Sequence, residues 1–264
     1  MAHGGNLMYL LSAMTARQIV ELFHLVFVRA LFANLSDKSL LAVKGGINLR
    51  FYFQSVRFSE DLDLDVVTMS KGALENRVDR LLVSPTVTSP LKARGIVIQD
   101  ISKPKQTSTV QRWKLEVASL ATSIRDRTKI EFSRRDTVDS AALERVDAQI
   151  ANAYQIPVFL ANHYRCDAAV RQKIHALAER AEPQPRDVFD LHGLLARTEA
   201  PKKLDAEAAA WIQPAVANAA ALTYDQYVAL VIAYLDPDQA ELYASRDTWE
   251  SMQLDVIARL EAFK

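Results

Sequence analysis

The 264-residue chain holds a single cysteine, Cys166, so it forms no internal disulfide and fits a reducing compartment such as the cytoplasm. That thiol reads as a buried or helix-start residue and not as a nucleophile. No uninterrupted apolar run approaches the roughly 20 residues a spanning helix needs, so no membrane association is expected. The first residues show no basic start followed by a clean apolar stretch, which argues against a secretory signal. No Cys/His cluster has zinc spacing, and no internal repeat or low-complexity tract stands out. Net charge is also absent: 32 Lys and Arg balance 32 Asp and Glu.

What remains is ordinary for a globular protein, with 50% hydrophobic and 24% charged residues. The length suits one large domain or two moderate ones. The zero net charge hides an asymmetry. Residues 91–135 carry eleven Lys/Arg against four Asp/Glu, and residues 199–264 carry eleven acids against five bases. A local basic face of that kind can hold a phosphate backbone.

Two neighbouring segments are the most informative: Lys44-Gly45-Gly46-Ile47-Asn48-Leu49-Arg50, and Arg57-Phe58-Ser59-Glu60-Asp61-Leu62-Asp63-Leu64-Asp65. In the second, acids alternate with leucines, the period of a β-strand. Ser59, Asp61, Asp63 and Asp65 are expected on one face, Leu62 and Leu64 on the other. Three carboxylates side by side repel one another, so the row calls for a cation, and oxygen-only ligands favour Mg²⁺ or Mn²⁺. The Gly45-Gly46 turn lets backbone N–H groups approach a phosphate with no Cβ in the way. A phosphate cradle followed by metal carboxylates describes a nucleoside triphosphate (NTP) site.

Lys-Gly-Gly-x-x-Leu-Arg followed by Arg-Phe-Ser-Glu-Asp-Leu-Asp resembles the AbiEii/AbiGii toxin family of nucleotidyltransferases, which includes the mycobacterial Men-type toxins. Lys129-Ile130-Glu131-Phe132 is similar to the family's second strand motif. Lys173-Ile174-His175-Ala176-Leu177-Ala178-Glu179-Arg180 and Arg186-Asp187-Val188-Phe189-Asp190-Leu191 resemble its helical Lys-x-x-Ala-x-x-x-Arg and Arg-Asp-x-x-Asp-Leu pair. The four blocks keep the family's order from residue 44 to 191. The resemblance implies a DNA polymerase β-like core and a toxin of a toxin–antitoxin or phage-defence pair. Such a toxin transfers a nucleoside monophosphate to RNA, in the Men-type branch to the 3′ end of tRNA, which blocks translation. It also implies a cognate antitoxin and, in some members, phosphorylation of the serine matching Ser59.

The expected fold class is α+β (α/β): a nucleotidyltransferase core with a mixed sheet in residues 1–140, then a helical half in 141–264 that completes the active-site cleft. A helix from about Ala13 to Leu35 is capped by Thr15, and a short strand through 40–43 feeds the glycine turn. A helix over 46–54 follows, and another over 69–82 has Ser70 as cap. Residues 95–101, 109–120 and 127–134 read as antiparallel strands of one sheet. Later, Asp167 is the expected cap of the helix reaching Arg180, and Pro214 and Pro237 are expected breaks.

For the chemistry, the resemblance places the metal ligands on Asp61 and Asp63, whereas strand parity alone equally allows Asp63 and Asp65. Lys129 and Glu131 share parity; if their strand lies beside the acidic one, Glu131 becomes a third carboxylate, either as metal ligand or as general base. Gly45, Gly46 and Ser59 are expected at the triphosphate, and Arg57 at the acids or the triphosphate. Lys173 and Arg180, seven apart on one helical face, suit nucleotide phosphates. Asp187 is expected to orient Lys173, contact base or ribose, or assist catalysis, and Asp190 to pair with Arg186. Nucleotidylation of a protein side chain or small molecule, and a non-catalytic nucleotide-binding module, are the alternatives.

Overall fold

The computed structural model describes residues 14–263, so Ala13, the expected start of the first helix, lies outside the described residues. Helix α1 (Ala16–Ala33) begins at the expected cap. The Thr15 side chain accepts from Gln18 N–H, and Gln18 Oε1 accepts from Thr15 N–H at 2.9 Å, a reciprocal capping box. From Ile19 to Val28 every residue of α1 is buried. A helix enclosed on all sides belongs to a core, and its polar Glu21 and His24 must find partners there.

After a 3-10 turn (Lys38–Leu40) come β1 (Leu41–Lys44), α2 (Gly45–Tyr52), β2 (Leu62–Val66), α3 (Lys71–Val83) and α4 (Pro85–Lys92). Ser70 caps α3, its hydroxyl accepting from Ala73 N–H at 3.2 Å. Strands β3 (Ile96–Gln106), β4 (Val110–Ser119) and β5 (Arg125–Arg134) form an antiparallel meander, as expected. Then follow β6 (Ala141–Arg145), α5 (Ala148–Ala153) and β7 (Leu160–Tyr164).

These seven strands make one mixed sheet in the order β3-β4-β5-β2-β1-β7-β6. β2 lies between β1, antiparallel, and β5, parallel. The sheet thus continues past residue 140, where only helices were expected. β6 reads Ala-Ala-Leu-Glu-Arg and β7 Leu-Ala-Asn-His-Tyr, and neither carries the β-branched alternation that marks a strand locally. Pairing with a distant partner makes β7 a strand: it runs parallel to β1, with Val43 opposite His163.

One face of this sheet carries the core. Leu62, Leu64 and Val66 of β2, Trp113 and Val117 of β4, and Ile130 and Phe132 of β5 are all fully buried, beneath α1, which packs on β4 and β5. The Trp113 and Phe132 rings meet edge-on at 5.8 Å, and Trp113 Nε1 donates to Asp79 at 2.8 Å. Each such apolar side chain contributes about 1.5–3 kcal/mol by burial. A one-residue slip of β2 would exchange its leucines for aspartates in the core, so this burial sets the register.

The chain divides into two compact units: Phe58–His163 with the chain up to Tyr52, and Phe53–Arg57 with the chain from Tyr164. The second is helical: α6 (Cys166–Glu179), α7 (Pro185–Leu195), α8 (Ala206–Ala210), α9 (Ile212–Ala221), α10 (Tyr224–Leu230), a 3-10 turn (Ile232–Tyr234), α11 (Pro237–Tyr243) and α12 (Arg246–Glu261). Arg165, not Asp167, holds the cap position of α6; Asp167 sits in the first turn, where a carboxylate still meets the positive helix end. Pro214 lies inside the first turn of α9, where it owes no intrahelical N–H, and the break falls at Trp211. Pro237 opens α11. Among the described residues no single helix is long and apolar enough to cross a membrane; one pair, Ile212–Ala221 with Tyr224–Tyr234, passes only jointly and bends by 93°.

Candidate active site

The acidic row is divided between a strand and its approach. β2 starts at Leu62, so Asp63 and Asp65 stand on it, whereas Ser59 and Asp61 belong to the preceding segment. Ser59 Oγ donates to the Asp61 carbonyl at 2.9 Å. Asp63 is flanked on both sides, by Lys44 across the β1 pairing and by Glu131 across the β5 pairing. The Lys129/Glu131 strand thus does lie beside the acidic strand, running parallel to it, with Asp63 directly opposite Glu131.

Gly45 turns the chain at the end of β1 with φ +68°, a conformation open to glycine. A Cβ on it would stand 3.1 Å from Asp63 Oδ2, so the absent side chain also makes room for the carboxylate. Gly46 is the second residue of α2. Burial first, then the neighbouring Asp61, push the Asp63 pKa above the usual carboxylate value against the pull of Lys129 and Lys44.

Each other acid already faces a cation. Lys129 Nζ is 2.7 Å from Asp61 Oδ2, and Arg112 Nη2 is 2.5 Å from Glu131 Oε2. Asp65 is buried, with Lys44 Nζ at 2.6 Å from one oxygen and Arg135 Nε at 3.4 Å from the other. Among the described residues no three His, Cys, Asp or Glu side chains are gathered to hold a metal ion. The donor chemistry of Asp61 and Asp63, oxygen-only and around a desolvated carboxylate, nonetheless suits a hard divalent cation.

The helical unit holds a second polar cluster. Lys173 on α6 is buried, its Nζ 2.9 Å from Asp187 Oδ1 and 2.6 Å from Asp190 Oδ2, both acids being on α7. Arg180 Nε lies 3.0 Å from Asp187 Oδ2, but without hydrogen-bond alignment, which leaves that buried oxygen unsatisfied. Asp190, expected to pair with Arg186, instead holds Arg57, Nη2 to Oδ2 at 2.9 Å. Arg57 is 4% exposed, a buried counter-ion of Asp190 within this unit. Asp190 and Arg57, 133 residues apart in the chain, are both taken out of water, and their mutual attraction offsets the desolvation cost that either would carry alone.

A model of the family described as "Nucleotidyl transferase AbiEii toxin, Type IV TA system" matches residues 27–262, nearly the whole chain. The chain belongs to this family. Among solved structures, the chain is similar to MenT4, a nucleotidyltransferase toxin of Mycobacterium tuberculosis H37Rv, at 16% identity and TM-score 0.59, over 99% of this chain and 90% of that one. It is also similar to JHP933 from Helicobacter pylori, at 21% identity and TM-score 0.56, over 94% of this chain and 95% of that one. No curated protein sequence matches it significantly. At these identities the structural likeness bears on the fold, and the mixed sheet with its helices agrees with it.

The ion pairs of Lys129, Arg112 and Lys44 with these acids were not expected from the sequence. Parity places Lys129 on the Glu131 side, a signal sufficient to bring it near Asp61. Arg112 could not be found without the β4–β5 register, in which it stands opposite Glu131. Lys44 stands in the glycine motif, but its grip on Asp65 required the β1–β2 pairing.

Proposed function

We propose that the toxin transfers a nucleoside monophosphate from an NTP to RNA, at the 3′ acceptor end of tRNA, and thereby blocks translation until its cognate antitoxin opposes it. Asp61 and Asp63 hold the Mg²⁺ or Mn²⁺, which when bound supplies charge neutralisation at the phosphates. Glu131 joins them or takes the proton of the attacking hydroxyl, in either case by releasing Arg112. The Asp65 carboxylate, engaged by Lys44 and Arg135, stays outside the ligand set. Gly45, Gly46 and Ser59 take triphosphate oxygens, helped by the orphan N–H groups that open α2. Lys173 and Arg180 supply positive charge for the nucleotide, with Asp187 orienting Lys173; Arg57 serves by fixing Asp190.

The observation that carries this reading is the pairing of Asp63 with Glu131 beside a glycine whose missing Cβ accommodates the carboxylate. An RNA acceptor is favoured by the same sheet face. Lys114 stands opposite Lys129, and Lys105 opposite Arg112, like-charge cross-strand pairs that cost stability. Lys105 and Lys114 are exposed and, among the described residues, have no ion-pair partner. Cations retained at such a cost suit a phosphate backbone recognised by shape and charge.

The test incubates purified protein with total bacterial RNA, Mg²⁺ and each NTP labelled at the α-phosphate, beside Asp63→Ala. Label in a tRNA-sized band, absent with the variant, is the expected result. Label that enters only protein when whole lysate is supplied would replace the RNA acceptor with a protein one.

A further inference from the structure

The segment carrying Asp61 is held from behind by two buried polar residues of α1 that the proposed chemistry does not use. His24 is fully buried, with Nε2 2.8 Å from Thr128 Oγ1 on β5. Thr128 is 4% exposed, and its hydroxyl lies 2.7 Å from the carbonyl oxygen of Glu60. Proton counting sets the direction of both bonds. A carbonyl only accepts, so Thr128 donates its one hydroxyl hydrogen to Glu60 and must accept from His24 Nε2. Burial drives the imidazole pKa down to about 3, so the ring is neutral and has no second proton. Nδ1 is then a bare lone pair, and it has no hydrogen-bond partner although enclosed.

An unpartnered buried acceptor is destabilising, and an apolar residue at this α1 position would avoid it. The histidine is accounted for by its other nitrogen. By filling the acceptor side of the Thr128 oxygen, Nε2–H leaves the hydroxyl proton directed at Glu60. A second strut starts one turn earlier on α1. Glu21, 2% exposed, receives Arg50 at 2.5 and 3.1 Å and the Tyr154 hydroxyl at 2.7 Å, and the Arg50 guanidinium lies over the Phe58 ring at 4.7 Å. Phe58 and Glu60 flank Ser59, and the Glu60 carbonyl belongs to the peptide that begins Asp61.

We propose that Thr128, oriented by His24, is a positioning residue that holds the Glu60–Asp61 peptide and so aims the Asp61 carboxylate for cation binding. This rests on the reading that Asp61 and Asp63 bind the divalent ion. Thr128→Val removes the hydroxyl at nearly constant volume, and Thr128→Ser keeps it. Mn²⁺ binding to nucleotide-free protein, followed by electron paramagnetic resonance, reads the carboxylates directly, with thermal unfolding measured beside it. Thr128→Val should bind Mn²⁺ about tenfold more weakly, the scale of losing a hydrogen-bonded support of a metal ligand, and Thr128→Ser should bind as the parent does. Unchanged Mn²⁺ affinity in Thr128→Val, with only the melting temperature lowered, overturns the proposal and leaves the proposed function standing. A parent protein with no Mn²⁺ signal that Asp63→Asn removes would overturn the cation reading and this proposal together. Should Thr128→Val not fold, His24→Phe, which frees the Thr128 hydroxyl to turn away, is read in the same assay, and unchanged affinity there overturns the proposal.

Discussion

Replacing Asp190 by asparagine keeps the shape of the side chain and removes one of the two negative charges that balance Lys173, Arg57 and Arg180. Arg57 and Lys173 have side-chain exposures of only 4% and 11%, so water cannot replace the lost charge. Breaking a buried pair by removing one partner costs about 3–5 kcal/mol, and a melting temperature lower by roughly 6–20 °C follows for a chain of this size. The pH dependence has a definite sign. Burial alone would raise the Asp190 pKa, but Arg57 and then Lys173 outweigh it and hold the carboxyl below its ordinary value. A carboxylate with a lowered folded pKa stabilises above its unfolded pKa, and that contribution fades as pH falls through the folded value. Parent and Asp190→Asn should therefore differ most near neutrality and converge as the pH falls below about 4. Urea unfolding followed by tryptophan fluorescence measures this, since Trp211 and Trp249 lie in the helical unit. A loss under about 1 kcal/mol at neutral pH would refute the reasoning, because the cations would then have been compensated by something other than Asp190.

Asp63→Asn should abolish transfer and toxicity yet raise the melting temperature at neutral pH, because the raised pKa of Asp63 means that its ionised form opposes folding; a lower melting temperature would contradict this. Gly45→Ala should cost about 1–3 kcal/mol in denaturant unfolding from its positive φ alone, and should also impair activity, since the new Cβ crowds Asp63 Oδ2. Full activity in Gly45→Ala would exclude the close approach as a requirement. The Cys166 thiol, raised to about 11 by burial, should react with iodoacetamide far more slowly in the native protein than in urea at neutral pH, and equal rates would show that it is exposed.

Features set by neighbours along the chain were legible in the sequence. Thr15 and Ser70 cap their helices because a side-chain oxygen three residues before an orphan N–H reaches it whatever the rest of the fold does. Leu62 and Leu64 fall on one face and Asp63 on the other because a strand has period two, and Gly45 turns because a missing Cβ permits its φ. The family blocks are legible for the same reason, being short runs with fixed spacing. The tertiary structure decided everything that depends on which strands and helices become neighbours. β6 and β7 are strands through pairing, not propensity. Asp63 meets Glu131 because β5 lies parallel beside β2 in one register, and that register follows from which apolar face the core buries. Arg57 reaches Asp190, and His24 reaches Thr128, because a charge or an imidazole taken out of water is stable only beside a partner, and the fold alone determines which partners come within reach.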